Sequence, residues 1–193
     1  MEIISTFTIQ NRCLYSVLFD TVIGTLDDEG NPKPPEELHE FQRLFNFWND
    51  AIALNDFFEQ YEEDLQNPYW DGITIDEAIT KTQKEAKKLK HILIEYAKNG
   101  KTKNLSMLFK PLSKGGYSSL EKDKVKASGP KTWIRLYAIR LDLNLFVVCG
   151  GAIKLRKTLN DRDYLLKELD KLEIAKQYLL DKEDHELELF ELY

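Results

Sequence analysis

The sequence is poor in the residues that build metal sites and disulfide frameworks. Its 193 residues include two cysteines, Cys13 and Cys149, and three histidines, His39, His91 and His185. Two cysteines in apolar surroundings are too few for a disulfide framework or a zinc site, so we predict buried thiols. The histidines lie far apart along the chain and show no ligand spacing. We therefore expect no metal and no cofactor.

Long apolar runs and glycine-rich phosphate loops are also missing. The longest run without a charged residue, 143–153, is far shorter than the roughly 20 apolar residues of a membrane-spanning helix. The chain begins with alternating polar and apolar residues, which is typical of a strand rather than a secretory signal. Neither G-x-x-x-x-G-K-[ST] nor G-x-G-x-x-G occurs. The sequence predicts a cytoplasmic protein without a membrane span.

Charge of one sign is concentrated in the middle of an acidic chain. The formal net charge is −6, but residues 101–160 hold 13 Lys and Arg against 3 Asp and Glu, a net +10. Residues 1–100 carry a net −10 and residues 161–193 a net −6. Such an asymmetry indicates either an anion-binding surface or a basic sheet that acidic helices neutralise within the fold. The charge pattern leaves both readings open.

The N-terminal part combines a predicted hairpin with an aromatic helical segment. Short β-branched and aromatic runs at 3–9 and 14–19 predict two antiparallel strands, and a proline-rich loop follows them. Residues 36–72 show helical spacing and many aromatic and acidic residues, which we interpret as an insertion that packs into a core. Within it, Asp56-Phe-Phe-Glu59 resembles a capping box that opens a helix.

The clearest helical pattern covers 74–98. Thr74-Ile-Asp-Glu77 is a capping box, Asn99-Gly100 is a stop signal, and apolar residues recur between them at steps of three and four. A second amphipathic pattern in 161–193, with an Asn160 or Asp161 cap, predicts a C-terminal helix followed by an acidic tail.

A basic β-meander is predicted for residues 101–160. LSMLFKPL indicates a short strand, WIRLYAIRL and LFVVC indicate two strands joined by a tight turn, and AIKLRKT indicates a returning strand after a break at Gly150-Gly151. Residues 1–193 are therefore expected to form one α+β domain. It would contain a twisted antiparallel sheet, helices on one face and an enlarged helical N-terminal part.

Basic side chains alternate with apolar ones along these strands. Period two places Lys154 and Arg156 on the face opposite Ile153 and Leu155. By the same count, Arg135 and Tyr137 share one face of their strand, and Arg140 falls on the other. Arginine forks and lysine point charges are the side chains that bind phosphate, so the cations predict a phosphate site.

The order of elements and three short motifs resemble the RelE/ParE/HigB superfamily of bacterial toxins. TWIRLYAIRL is similar to the family strand that carries an arginine between apolar residues, and LFVVCGG is similar to the next strand. Lys154-Leu-Arg-Lys157-Thr158 resembles the K-x-x-K-T motif of the phage-derived HigB-like branch, and the likeness covers mainly residues 108–180. This resemblance implies a RelE-like fold in a toxin–antitoxin system.

The resemblance also implies roles for particular residues. Family members commonly cut messenger RNA at the ribosome without a metal, so an endoribonuclease is one expectation. The implied catalytic residues are Arg135, Arg140, Lys154 and Lys157, and the implied substrate-binding residues are Lys110, Tyr137 and Arg156. The implied partners are RNA or the ribosome and a small antitoxin protein. The alternative is a catalytically inert RelE-like fold that acts as a protein-interaction module, its basic sheet covered by acidic helices or a partner.

Overall fold

The protein is an α+β fold with one six-stranded sheet, as the sequence predicts. The computed structural model describes residues 1–10, 12–20, 38–98, 102–112, 120–156 and 162–183. The strands of the sheet are β1 (Ile3–Gln10), β2 (Leu14–Phe19), β3 (Lys110–Pro111), β4 (Glu121–Lys126), β5 (Ile134–Asp142) and β6 (Leu145–Ile153). The α-helices in these ranges are α1 (Glu40–Phe47), α2 (Ala51–Gln60), α3 (Glu62–Leu65), α4 (Ile75–Lys98) and α5 (Asp163–Glu183).

The sheet is mixed, whereas we expected an antiparallel one. The strand order is β1-β2-β6-β5-β4-β3, and every neighbouring pair is antiparallel except β2 and β6. These two strands run parallel, with Leu14 opposite Phe146 and Ser16 opposite Val148. Parallel pairing needs a long connection, and the described part of the chain between β2 and β6 contains four α-helices and three strands. The long helical segment therefore allows the chain to re-enter the sheet in the same direction.

Helices cover both faces of the sheet, and the expectation of one covered face is wrong. On β5, Leu136 and Ala138 join the core under α1, α2 and α4, while Tyr137 and Ile139 join a second core under α5. Strand β6 alternates in the same way. Central strands that are apolar at both parities need cover on both sides. The consequence for function is that the basic residues do not lie on an open sheet face.

Local helix signals are confirmed for α4 and wrong for α2. Glu77 Oε2 accepts a hydrogen bond from the Thr74 backbone N–H at 3.0 Å, and Thr74 Oγ1 accepts one from the Glu77 backbone N–H at 3.3 Å, as a capping box requires. Helix α2 begins earlier than predicted, because Asp50 Oδ1 accepts from the backbone N–H groups of Ile52 and Ala53. Asp56 therefore lies inside α2 rather than at its start.

The described part of AIKLRKT, residues 152–156, does not form a strand of its own, because β6 continues through the two glycines and ends at Ile153. Residues 145–153 are one strand with a bulge at Cys149, and 105–112 contains only the two-residue strand β3. A Cβ added at Gly150 would lie 2.5 Å from Glu168 Oε2 of α5. A Cβ added at Gly151 would lie 2.9 Å from both the Arg135 carbonyl oxygen and Leu44 Cδ1. Both glycines thus permit the close approach of neighbouring elements rather than a break.

Replacement of Gly151 by alanine should lower the free energy of unfolding by about 1–2 kcal/mol. The neighbouring Arg135 carbonyl is backbone within the sheet and cannot retreat as a side chain can. Urea denaturation measures the loss. Gly72→Ala is the control, because its added Cβ meets nothing within 4 Å and only its positive φ of +69° opposes alanine. A Gly151→Ala protein as stable as wild type would contradict the packing of α1 on β6.

Four charged side chains fill the gap where β2 and β6 separate. The pairing of these strands ends at Ser16 and Val148, and Glu168 Oε2 accepts from the Gly151 backbone N–H at 2.7 Å. Lys171 Nζ lies 2.8 Å from Glu40 Oε1 and 2.8 Å from Glu168 Oε1. Arg43 pairs with Glu40 at 2.7 Å. We call Glu40, Arg43, Glu168 and Lys171 the fork cluster; it joins α1 to α5 through the sheet.

The two carboxyl groups of the fork cluster differ in their proton affinity. Burial raises the pKa of Glu168, and Lys171 only partly offsets this effect. Burial also acts to raise the pKa of Glu40, but hydrogen bonds and charges from Arg43 and Lys171 bring it below its ordinary value. Burial raises the pKa of Cys149, which lies near both carboxyl groups, and so keeps it a neutral thiol. The predicted buried thiols are present: Cys13 and Cys149 are both reduced and buried.

Candidate anion-binding pocket

A pocket of about 490 Å³ lies where β6 ends and β5 begins. It combines three cations with two aromatic rings and two small polar side chains. Its lining residues are Asn67, Tyr69, Trp70, Thr132, Arg135, Lys154, Leu155 and Arg156. We call it the cationic pocket. It brings together three of the predicted site residues, Arg135, Lys154 and Arg156.

The chain after β6 delivers two of these cations by simple alternation. Ile153 and Leu155 are buried in the core, and Lys154 and Arg156 between and after them line the pocket. The Lys154 backbone N–H donates to the Trp133 carbonyl at 2.8 Å, which holds this segment beside the start of β5. The predicted separation of apolar and basic residues is confirmed, although the segment leaves the strand at Ile153.

Arg135 is held rigidly at the wall of the pocket. Its guanidinium donates to the Ile134 carbonyl at 2.8 Å and to the Thr132 carbonyl at 3.0 Å. Among the described residues, no carboxylate lies within ion-pairing distance of it. Burial lowers the pKa of Arg135, although an arginine remains charged at neutral pH. The pocket therefore contains a fixed positive charge that carbonyl dipoles orient without neutralising.

Arg156 is positioned by a buried carboxylate from the aromatic segment. Its Nε donates to Asp64 Oδ1 at 2.6 Å, and Arg162 donates to both oxygens of the same carboxylate at 2.5 and 2.9 Å. Burial acts to raise the pKa of Asp64, but the hydrogen bonds from Arg162 and Arg156 place it below its usual range. Helix α3 thus fixes Arg156 against the pocket and neutralises part of its charge.

The opposite wall of the pocket is aromatic. Trp70 is buried and its indole N–H donates to the Leu155 carbonyl at 3.0 Å. Tyr69 packs on Trp70 with ring centroids 4.7 Å apart, but 53% of it remains exposed. The Asn67 side chain accepts from the Tyr69 backbone N–H at 2.9 Å and fixes this turn. An exposed ring beside cations is suited to stacking on a planar ligand.

The other predicted site residues lie elsewhere. Arg140 is paired with buried Asp123 on β4 at 2.5 Å, and its guanidinium lies over the Phe146 ring. Lys110 is exposed on the far edge strand β3. Tyr137 is only 1% exposed in the core under α5, where burial raises the pKa of its hydroxyl. Lys157 lies outside the described residues.

No pattern in the sequence marks several of the pocket residues as part of a site. The sequence predicts that the aromatic residues of 36–72, which include Tyr69 and Trp70, pack into a core; Trp70 is buried, whereas Tyr69 is 53% exposed and lines the pocket. Asp64 is one of many acids in the helical segment, and it lies 92 residues before Arg156. Thr132 is marked only by its position just before a predicted strand. Pairing of such distant residues depends on the tertiary fold.

A larger groove of about 880 Å³ adjoins the cationic pocket at Trp70 and Thr132. Its lining contains charges of both signs: Lys81, Lys84 and Lys88 of α4, and acidic residues of α4 and of the loop before it. Lys81 is already within 3.1 Å of Glu85. The groove therefore offers no net positive charge, and the cationic pocket is the better candidate for an anion.

Within the described ranges, no helix is long and apolar enough to cross a membrane, and no group of three or more His, Cys, Asp or Glu is placed to hold a metal. No family model, no curated protein and no solved structure matches the chain. The likeness to RelE/ParE/HigB toxins therefore stays a prediction that rests on the short motifs alone.

Proposed function

We propose that this protein binds RNA by holding a backbone phosphate in the cationic pocket. The observation that carries the proposal is the convergence of Arg135, Lys154 and Arg156 on one pocket, where Arg135 has no carboxylate partner among the described residues. Arginine forks match the geometry of phosphate oxygens, and a charge held in a partly buried pocket acts more strongly than one in water.

The aromatic wall favours single-stranded RNA over a duplex. Tyr69 is half exposed at the rim of the pocket, next to the cations. Unpaired bases stack on such rings, whereas bases within a duplex are already stacked on one another. A phosphate on Arg135 and Arg156 with the adjacent base on Tyr69 would use both walls of the pocket.

The lining of the cationic pocket is suited to binding RNA rather than to cutting it. Cleavage through a ribose 2′-hydroxyl needs a general base and an acid for the leaving oxygen. The residues that line the pocket include three cations but no histidine and no carboxylate. Endoribonuclease and toxin activity therefore stay expectations from the family resemblance.

A protein-interaction module is the second candidate, and ion pairs within the fold favour it. Asp64 of α3 pairs with Arg156, and Glu173 of α5 pairs with Lys122 of β4. Part of the basic charge of residues 101–160 is thus matched by acids from other parts of the fold. If these pairs are the reason for the charge pattern, RNA affinity should be weak and independent of Arg135.

Arg135→Gln should weaken the binding of a single-stranded RNA oligonucleotide by about tenfold or more, because one charged phosphate contact is lost. The slope of the logarithm of affinity against the logarithm of salt concentration should also fall by about one. Fluorescence anisotropy with a labelled oligonucleotide, repeated at several salt concentrations, measures both quantities.

Lys110→Gln is the matched control for charge. It removes one exposed cation from the opposite edge of the sheet, and the affinity should stay close to that of wild type. Equal affinity of wild type and Arg135→Gln, or a wild-type affinity that does not change with salt, would contradict the proposal and favour the interaction module.

A further inference from the structure

The larger groove beside the cationic pocket, which we call the α4 groove, follows one face of α4. Trp70 and Thr132 line both spaces, so the pocket and the groove adjoin. On the helix, the lining residues recur at steps of three and four from Asp76 to Lys88. This segment of the helix is about 18 Å long. A chain molecule held in the pocket would therefore meet a second surface next to it.

Three of the four acidic residues that line the α4 groove are held by other groups of the fold. Glu77 completes the capping box of α4. Glu85 is buried and accepts from two backbone N–H groups at the entry to β5, at 3.0 and 3.1 Å. Asp71 pairs with Lys131 at the surface. The fourth, Asp76, lies in the first turn of α4, where the helix dipole favours a negative charge. Most of the negative charge of the groove is thus already engaged.

Two of the three lysines of the α4 groove are not engaged in this way. Lys81 Nζ lies 3.1 Å from Glu85 Oε1 and 4.8 Å from the centre of the Trp133 ring. Lys84 and Lys88 are exposed, and neither forms an ion pair with any described residue. They lie four residues apart, which is about 6 Å along the helix axis. The groove therefore presents two neighbouring positive charges to solvent.

We propose that single-stranded RNA held in the cationic pocket continues along the α4 groove, where Lys84 and Lys88 contact the neighbouring backbone phosphates. This inference rests on the proposed function and extends it from one phosphate to a binding site for several nucleotides. Proteins that bind single strands combine a basic groove along the backbone with aromatic rings that stack on bases. Here the exposed Tyr69 ring lies at the pocket, and the two lysines lie about one helical turn apart in the groove.

The arrangement favours a chain of anions over a small anion. A free phosphate would occupy the cationic pocket and leave Lys84 and Lys88 repelling each other, because like charges four residues apart destabilise a helix. An RNA strand carries a phosphate at every nucleotide, so it can supply one phosphate to the pocket and further phosphates to the groove. The order of pocket and groove thus matches a strand that passes from one to the other.

The experiment compares two double variants of the full chain on two lengths of RNA. Lys84→Gln with Lys88→Gln removes the two charges of the groove. Lys87→Gln with Lys90→Gln is the matched control, because it removes two exposed lysines of α4 that do not line the groove. Fluorescence anisotropy at several salt concentrations measures the binding of a single strand of about twelve nucleotides. Nuclear magnetic resonance titration measures the binding of a dinucleotide, which has a single bridging phosphate and reaches only the pocket.

The groove variant should bind the long strand about tenfold more weakly than wild type does. The slope of the logarithm of affinity against the logarithm of salt concentration should fall by about 1.4, since each phosphate contact on a single strand contributes about 0.7. The control variant should stay close to wild type in both quantities, and the dinucleotide should bind all three proteins equally. Circular dichroism checks that each variant keeps its fold.

Arg135→Gln separates failure of this inference from failure of the proposed function. If Arg135→Gln weakens the binding of both lengths but the groove variant binds like the control variant, the pocket stands and the path along the groove is overturned. If the groove variant weakens dinucleotide binding as much as that of the long strand, the path is overturned as well. If Arg135→Gln changes neither, the proposed function fails, and this inference fails with it. Displacement of the long strand by polyglutamate as readily as by unlabelled RNA would assign the groove to an acidic protein segment and overturn the inference.

Discussion

Replacement of Lys171 by methionine is expected to lower the free energy of unfolding by about 3–5 kcal/mol. Lys171 is buried and lies 2.8 Å from a carboxylate oxygen of both Glu40 and Glu168. Methionine fills similar space but leaves two buried carboxyl groups with Arg43 as the remaining cation in the fork cluster. A buried charge that loses its partner destabilises the fold by more than the intact ion pair stabilises it, so the decrease in the free energy of unfolding should be large.

The pH dependence of this variant identifies the cause. Burial already raises the pKa of Glu168, and loss of Lys171 should raise it further. A carboxyl group whose pKa is raised by folding holds its proton more tightly in the folded state, so its contribution to stability decreases as the pH rises. The deficit of Lys171→Met should therefore shrink as the pH is lowered from about neutral toward about 4.3, the ordinary pKa of glutamate.

Two companion variants make the Lys171 measurement specific. Lys167→Met makes the same change on an exposed face of α5, and its urea midpoint should stay close to that of wild type. Adding Glu168→Gln to Lys171→Met removes one of the two stranded carboxylates and should recover part of the stability. Equal losses for Lys167→Met and Lys171→Met would mean that the fork cluster does not hold α1 and α5 together.

Features that depend on neighbouring residues in the chain could be predicted from the sequence. The hairpin β1–β2, the strand β5 and the helices α4 and α5 follow from periodicity, and the start of α4 follows from capping as well; the predicted cap of α5, Asn160 or Asp161, lies outside the described residues. The Thr74–Glu77 box is present as hydrogen bonds. Asp56 is not a cap because α2 begins six residues earlier than predicted, where Asp50 accepts from the backbone N–H groups of Ile52 and Ala53.

Features that depend on distant contacts could not be predicted. Gly150-Gly151 looked like a break in a strand, yet both glycines continue β6 because Glu168 and Leu44 approach from its two faces. The parallel pairing of β2 with β6 likewise depends on how the helical segment between them packs. The sequence of β6 alone therefore cannot predict its contacts with α1 and α5 or its pairing with β2.

The candidate site shows the same division. Alternation along residues 153–156 correctly placed Lys154 and Arg156 away from the core, and Arg135 joins them across the β5–β6 pair. Arg140 is also a basic residue among apolar residues of a predicted strand, but it pairs with Asp123 on β4. The residues on neighbouring elements determine whether a basic side chain forms an ion pair or lines the pocket. The sequence therefore identifies candidate residues, and the tertiary structure shows which of them lie together.

Replacement of Asp64 by asparagine should lower the free energy of unfolding by about 2–4 kcal/mol. Asp64 is fully buried and accepts charged hydrogen bonds from Arg156 and Arg162. Asparagine keeps the shape, but it offers one oxygen instead of two and leaves both arginines without their counter-charge. The arginines are about one third exposed, so water relieves part of the cost and keeps it below that of an entirely buried pair.

The pH dependence of Asp64 runs opposite to that of Glu168. Folding lowers the pKa of Asp64, so its contribution to stability is complete above the unfolded value of about 3.9 and is lost as the pH falls through the lower folded value. The gap between wild type and Asp64→Asn should therefore be constant near neutral pH and close only in strong acid. Asp71→Asn is the control, since Asp71 is exposed and pairs with Lys131 at the surface, where such a pair contributes about 0–1 kcal/mol. A gap that closes well above pH 3.9 would show that Asp64 is not the charge that holds Arg156 at the pocket.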